Sequence, residues 1–131
     1  MKIDIDYLEG KKIKASFNSF EVISDQSKSS GGQEESPEPF DYFPASTALC
    51  VAHYIRSFCE ARKIDYKEVR ISQDIINIDE KNKYKRKIKI NIEVPESFPK
   101  KYKKALVLAA NGCTVKKIIE NVPVFEVEVG Q

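Results

Sequence analysis

The chain has 131 residues, of which 41% are hydrophobic and 32% are charged, a composition that suits one soluble domain over residues 1–131. The formal net charge of +2 is too small to indicate a nucleic-acid partner by itself. There is no apolar run long enough to span a membrane and no signal peptide, so we expect a cytoplasmic protein whose three cysteines are reduced.

The N-terminal part of the chain predicts a three-stranded β-meander, because apolar and polar side chains alternate in short runs separated by turn residues. The predicted strands are residues 2–8, 13–17 and 20–23. In the first of these strands the residues on one face are Ile3, Ile5 and Tyr7. Residues 24–38 have no apolar period and contain several serines and a glycine pair, so they predict a mobile loop.

The stretch from Pro39 to Lys63 predicts a long central helix, with the sequence PFDYFPASTALCVAHYIRSFCEARK. Between Ala45 and Cys59 its apolar residues cover more than one face, which is typical of a helix buried in a core or between subunits. Pro44 either begins the regular helix or kinks it one turn in.

The second half of the chain predicts a β-hairpin, two helices and a last strand. Residues 84–94 alternate between branched apolar and polar side chains, as in a sheet with one solvated face. The predicted order is a turn and a strand in 64–78, a strand in 84–94, helices at 100–110 and 114–120, and a strand at 122–129. The whole pattern, βββ-α-ββ-αα-β, predicts an α+β fold in which helices pack against antiparallel sheets.

The cysteines are the candidate nucleophiles. Cys50 lies in the middle of the central helix and Cys113 opens a later helix, so the two thiols could meet in one small core; a buried cysteine can equally act as a small hydrophobic residue. On local grounds Cys113 is the better thiolate, because a helix N-terminus and the nearby Lys116 and Lys117 favour negative charge. Cys59 lies about 180° around the helix from Cys50, so we expect it in the core.

Other candidate sites have weaker support in the sequence. His53 shares a helix face with Cys50 and is either a base for that thiol or a residue at a surface or interface. One histidine and three scattered cysteines give no metal-ligand spacing, and no phosphate-loop or dinucleotide motif occurs, so we expect neither a metal nor a cofactor. The basic run between Lys81 and Lys89 indicates a solvated strand edge more than a nucleic-acid site.

Two segments resemble the OsmC/Ohr family. The segment PFDYFPASTALCVAHYIRSFCEARKID is similar to the family's central helix. The segment FPKKYKKALVLAANGCTVKKIIENVPVFEVEV resembles its C-terminal part, where a cysteine precedes a basic helix and a last strand that begins at proline. The likeness extends over nearly all of the chain from Gly31 on. It is closest to the general OsmC-like branch, which carries a P-F-D start and an S-F-C stretch, as residues 39–41 and 57–59 do here.

The resemblance implies an OsmC-like fold in an intertwined homodimer whose central helices lie between the subunits. It also implies a peroxiredoxin-like thiol peroxidase of the oxidative stress response. Cys50 would reduce an organic hydroperoxide and become a sulfenic acid, Cys113 would resolve it as a disulfide, and an external dithiol would reduce that disulfide. No metal or nucleotide is required, and neither nucleic acid nor membrane is an expected partner.

The sequence departs from the hydroperoxide-resistance branch of the family at two charged positions. That branch uses an arginine from its N-terminal part and a glutamate ten residues before the first cysteine; here Phe40 occupies the second position and no arginine precedes Arg56. Without a cation, the pKa of a buried Cys50 is expected to stay raised. The candidate supporting residues are Asp41, His53 and lysines such as Lys12 or Lys14. The alternative function is a non-catalytic dimer that binds an apolar or acyl-type small molecule in its interface cleft.

Overall fold

The computed structural model describes residues 1–130. The elements in chain order are β1 (Asp4–Tyr7), β2 (Ile13–Phe17), β3 (Phe20–Ser24), α1 (Pro39–Ala61), β4 (Arg70–Asn77), β5 (Arg86–Glu93), α2 (Lys103–Asn111) and α3 (Thr114–Glu120), with short 3₁₀ turns at Lys28–Ser30 and Lys100–Tyr102. Strands β1–β2–β3 form one antiparallel sheet and β4–β5 a second. The predicted α+β class, with antiparallel sheets and a long helix, is confirmed.

The chain forms two compact units, of which the first is residues 1–45. Its meander has the predicted boundaries to within two residues, and Asn18 turns the chain between β2 and β3 with a φ of 53°, a left-handed conformation that asparagine tolerates. The apolar face predicted for the first strand is exposed in the single chain, since Ile5 is 53% and Tyr7 87% accessible.

The loop between β3 and α1 is held by hydrogen bonds, unlike the mobile segment predicted for residues 24–38. The buried carboxylate of Asp25 accepts the backbone N–H groups of Gln26, Gln33 and Glu35 at 2.8–3.2 Å. Gly32 lies so close to the Gln26 carbonyl that a Cβ would come within 2.0 Å of its oxygen, so no larger residue fits there. This polar loop is therefore ordered around one buried acceptor, the carboxylate of Asp25.

Helix α1 begins at Pro39 and continues through Pro44, so Pro44 does not begin the regular helix. Pro44 lies just beyond the first turn of this helix and has no backbone N–H to donate to the carbonyl of Phe40. Of the apolar faces predicted for this helix, one is buried in the single chain and another is exposed. Val51, Ile55 and Phe58 are buried, whereas Leu49 on the opposite side is 71% exposed in the single chain.

The second unit begins at Ser46 and contains the hydrophobic core. Apolar side chains of α1 and α2 meet there because each helix turns an apolar face toward the core. The buried core residues are Val51, Ile55, Phe58, Cys59, Phe98, Leu106, Ala110 and Cys113. The paired β4 and β5 add the inward side chains of Ile71, Ile90 and Ile92, as the alternation of the sequence predicts.

The prediction of a last strand at residues 122–129 is wrong for the single chain, because residues 123–130 pair with neither sheet. Their apolar side chains are almost fully accessible: Val124 is 95%, Phe125 87%, Val127 92% and Val129 98% exposed. Alternation in a sequence describes a strand's two faces but does not supply the neighbouring strand that must satisfy its backbone hydrogen bonds.

Candidate active site

Two thiols are brought together by α1 and α3. Cys50 is half-buried in α1, and the fully buried Cys113 is the residue that caps the N-terminus of α3. The Cys113 Sγ accepts the backbone N–H of Lys116 at 3.4 Å, which fixes it at the start of the helix. Cys50 and Cys113 lie close enough for each thiol to shift the pKa of the other, that of Cys50 downward and that of Cys113 upward. Both residues are reduced in the structure, so the contact is between thiols and not a disulfide.

The pKa of Cys50 is lowered by its surroundings. Burial alone raises the pKa of this thiol, but hydrogen bonds from the Cys113 thiol and from the backbone N–H groups of Val115 and Thr114 favour the thiolate more strongly. The first turn of α3 therefore points its unpaired N–H groups at the sulfur of a different helix. The raised pKa predicted for Cys50 in the absence of a cation is wrong, because the Cys113 thiol and the backbone N–H groups of α3 favour the thiolate in place of a charged side chain.

Cys113 has the opposite shift, contrary to the prediction that it is the better thiolate. Burial raises the pKa of Cys113, and the hydrogen bond it donates to Cys50 raises it further, which outweighs the N–H groups of Lys116 and Val115. The sequence identified the helix N-terminus correctly. It could not show that N–H groups of this helix would also lower the pKa of Cys50, a residue of a different helix.

Tight packing beside the thiols positions the start of α3. The hydroxyls of Tyr54 in α1 and Thr114 in α3 lie 2.8 Å apart and hydrogen-bond. Gly112 ends α2 with an ordinary right-handed φ of −71°. A Cβ at Gly112 would lie 3.0 Å from the Ala109 carbonyl oxygen and 3.4 Å from the Tyr54 ring, so a larger residue would require these neighbours to shift by a few tenths of an ångström. These contacts were not apparent from the sequence, although the Asn-Gly pair did mark the helix end.

Cys59 lies in the core, as predicted. It is fully buried, and burial raises the pKa of its thiol, with Arg62 acting in the opposite direction. Cys59 is therefore the natural control in any experiment on the other two cysteines.

The candidate supporting residues have other contacts. His53 is exposed and packs edge-on against the Tyr54 ring, with ring centroids 5.7 Å apart, and it is not among the groups that shift the pKa of Cys50. Asp41 is exposed and accepts the backbone N–H of Glu38 at 2.9 Å, which caps the start of α1. Neither contact involves a thiol.

The two lysines proposed as replacement cations are paired with carboxylates. Lys12 forms an ion pair with Glu35. Lys14 lies between Asp6 at 3.4 Å and Glu21 at 3.5 Å, and its pKa is raised chiefly by the charge of Glu21. Within their own unit, both positive charges are already compensated.

The arrangement is that of a two-cysteine α+β protein, with one thiol in a long helix and the second at the N-terminus of a short one. Among the described residues, no group of three His, Cys, Asp or Glu side chains converges as a metal site. None of the helices in residues 1–130 is both long and apolar enough to cross a membrane.

Comparison with known proteins gives the family. A protein-family model described as OsmC-like protein matches residues 31–128, and the chain belongs to this family. Both cysteines of the candidate site lie within the matched range. Among curated proteins, none matches the chain significantly.

Solved structures share the fold at low sequence identity. A Psychrobacter arcticus protein, titled an osmotic stress induced and detoxification response protein, is 20% identical with a TM-score of 0.69, over 89% of this chain and 86% of that one. An organic hydroperoxide resistance protein OsmC from Legionella pneumophila is 16% identical with a TM-score of 0.61, over 91% and 89%. A Vibrio cholerae organic hydroperoxide resistance protein is 13% identical with a TM-score of 0.58, over 93% and 86%.

Proposed function

We propose that this protein reduces organic hydroperoxides with Cys50 and Cys113. The observation that carries the proposal is the pairing of Cys50 in α1 with Cys113 at the start of α3, where the Cys113 thiol and the N–H groups of Val115 and Thr114 lower the pKa of Cys50. Membership of the OsmC-like family supports it, as do the hydroperoxide resistance proteins of similar fold. The Vibrio cholerae protein holds a molecule of captopril in one of its active sites, so the site of that protein admits a small organic molecule.

In the first step, the Cys50 thiolate attacks the terminal oxygen of the hydroperoxide ROOH. The O–O bond breaks, the alkoxide leaves and takes up a proton to become the alcohol, and Cys50 becomes a sulfenic acid. A lowered thiol pKa favours this step because the thiolate is the nucleophile.

In the second step, the sulfur of Cys113 attacks the sulfur of Cys50. An S–S bond forms, the S–O bond breaks, and the hydroxide leaves as water with the proton that Cys113 releases. An external dithiol then restores both thiols by exchange and is itself oxidised to a disulfide. The balance is one hydroperoxide and two thiols converted to one alcohol, one water and one disulfide. We place this cycle in the cytoplasm, where such reductants keep thiols reduced.

We also propose that the active form is a homodimer. The exposed apolar residues of the single chain are grouped on two elements and in the segment that follows α3, whereas single scattered apolar residues are normal on a monomer's surface. They include Ile5 and Tyr7 of β1, Leu49 of α1 and the alternating residues 122–129. A second copy of the chain is the partner that would cover all three, as the family resemblance implies.

The test of the chemistry is the intact mass of the reduced protein before and after one equivalent of cumene hydroperoxide. We expect the wild type to lose two hydrogens, with digestion locating the link between Cys50 and Cys113. Cys113→Ser should instead accumulate a sulfenic acid that dimedone traps, while Cys50→Ser consumes no peroxide.

Cys59→Ser is the matched control, since Cys59 is a buried core thiol, and it should form the same link as the wild type. Three unreacted thiols in the wild type, or unchanged peroxide consumption by Cys50→Ser, would refute the proposal.

A further inference from the structure

A cavity of about 290 Å³ lies in the second unit, bounded by α1, β5 and α3. Its walls are largely apolar, being formed by Val51 of α1, Ile88 and Ile90 of β5, and Ile119 of α3, with the buried Thr47 of α1 as a polar member. Neither Cys50 nor Cys113 lines it. All of its residues belong to one unit of one chain, so it differs from the interface cleft that the alternative function requires.

The more exposed part of the lining, which forms the mouth of the cavity, is charged: Arg86 and Glu120 are exposed, whereas Ile88, Ile90 and Ile119 are half-buried. Arg86, Lys116 and Glu120 line it, two cations against one carboxylate. Lys116 and Glu120 form an ion pair along α3 at 2.8 Å. Arg86 is exposed and forms no ion pair with any residue of the described chain. The guanidinium of Arg86 is therefore available to an anionic ligand, next to the Lys116–Glu120 pair, whose charges cancel.

We infer that this cavity binds a small amphipathic carboxylate, with its hydrocarbon chain against the isoleucines and its acid group on Arg86. Guanidinium matches the two oxygens of a carboxylate in a bidentate arrangement. A doubly charged phosphate would keep an excess negative charge next to Glu120, so a singly charged acid suits this mouth better. The volume lies at the lower end of the range for small-molecule pockets, which favours a short acyl chain.

Strand β5 contains a matched control. Arg86, Ile88 and Ile90 alternate on the cavity side, so the intervening Lys87 points to the other face of the strand. Arg86→Gln and Lys87→Gln each remove one positive charge from adjacent exposed positions. If general electrostatic attraction drives binding, both substitutions weaken the affinity equally. If the anion is recognised at the cavity, only Arg86→Gln weakens it.

The experiment is calorimetric titration of the reduced, full-length protein with octanoate and with octanol, which has the same chain length but no charge. No peroxide is present, so the result does not depend on the thiol chemistry. We expect saturable octanoate binding with one site per chain, weakened about tenfold by Arg86→Gln, as for loss of one charge-assisted hydrogen-bonding partner near the surface. Lys87→Gln should bind octanoate as the wild type does.

Octanol should bind the wild type about as weakly as octanoate binds Arg86→Gln. Chemical shifts of the Ile88 and Ile119 methyl groups should move on addition of octanoate, which would locate the chain in the cavity. Absence of saturable binding, equal affinities for octanol and octanoate, or equal losses in the two variants would each overturn the inference.

Discussion

The acidity of Cys50 is determined by donors that come from another part of the chain. The sulfur lies in α1, while the groups that favour its thiolate are the Cys113 S–H and the N–H groups of Thr114 and Val115. No side-chain cation takes part in this set. A cysteine in the middle of a helix thus gains the electrostatic benefit of a helix N-terminus, because a second helix begins against it.

Removal of the Cys113 thiol should raise the pKa of Cys50. In Cys113→Ala the burial of Cys50 persists but one hydrogen-bond donor to its thiolate is gone, so the midpoint of its reactivity should move to higher pH. The measurement is the rate of iodoacetamide alkylation at Cys50 as a function of pH, followed by mass spectrometry. At pH 7 the variant should react more slowly than the wild type.

Two further variants test whether the donor itself is responsible. Cys113→Ser keeps a hydroxyl that can donate to the thiolate, so its profile should lie between those of the alanine variant and the wild type. Cys59→Ser changes a buried thiol that is not among the groups that shift the pKa of Cys50, so it should leave the profile where it is. An alanine variant with the wild-type midpoint would contradict the role assigned to the Cys113 S–H.

At this scale the sequence located the residues but not their roles. It indicated that Cys50 and Cys113 could meet, because both lie on helices that must bury apolar faces. The direction of each pKa shift depended on the relative position of two elements separated by a sheet hairpin and a helix. Spacing along the chain carries no information about such a contact, so the predicted acidities were reversed.

The loop before α1 shows how one buried acceptor organises an element. The Oδ2 atom of Asp25 accepts the N–H groups of Gln33 and Glu35, and Oδ1 accepts that of Gln26. The Gln26 hydrogen bond is the largest of the contributions that lower the pKa of Asp25. The sequence of this loop suggested mobility because nothing in its composition shows which of its acids is buried.

Asp25→Asn should loosen this loop. An amide presents one acceptor oxygen in place of two, so either the Gln26 N–H or the pair from Gln33 and Glu35 must lose its partner. Hydrogen exchange should become faster at those loop amides than in the wild type. Asp79→Asn is the control, because Asp79 accepts the Lys81 N–H at 3.0 Å in an exposed hairpin turn. Unchanged protection of the Gln33 and Glu35 amides would contradict the role of Asp25.

The same loop should open in acid. Because the pKa of Asp25 is lower in the folded chain than in the unfolded one, its contribution to stability is complete above the unfolded pKa and is lost as the pH falls through the folded pKa. Protection factors for the loop amides should therefore stay constant near neutrality and decrease only at strongly acidic pH.

For the whole molecule, the exposed C-terminal segment predicts self-association. Residues 123–130 carry a strand-like alternation but pair with neither sheet of the described chain. The sequence gives the alternating pattern of this segment but not a pairing partner, and the segment joins neither sheet of the single chain. Most of the other elements depend on local patterns and were predicted to within a few residues.

Val127→Asp should weaken the proposed dimer, because a charge would replace an apolar side chain that is 92% exposed in the single chain. Light scattering after size exclusion should show the wild type as a dimer and the variant shifted toward monomer at the same concentration. The melting temperature of the wild type should also rise with protein concentration, as for any folded dimer in equilibrium with unfolded chains.

Glu126→Gln, at a neighbouring position that is already polar, should remain dimeric. A wild type that is monomeric at all concentrations would refute the dimer and leave the apolar segment without a partner.

The short distance between the two thiols also affects how far the protein resists over-oxidation by peroxide. A sulfenic acid that meets a second peroxide becomes a sulfinic acid, which ordinary reductants do not reverse. The outcome depends on which is faster, the intramolecular attack of Cys113 on the sulfenic acid or its bimolecular reaction with a second peroxide. Because Cys113 already touches Cys50, its effective concentration at that sulfur far exceeds any concentration that a peroxide reaches in solution. The proposed pair of thiols would therefore limit inactivation by excess oxidant as well as complete the catalytic cycle.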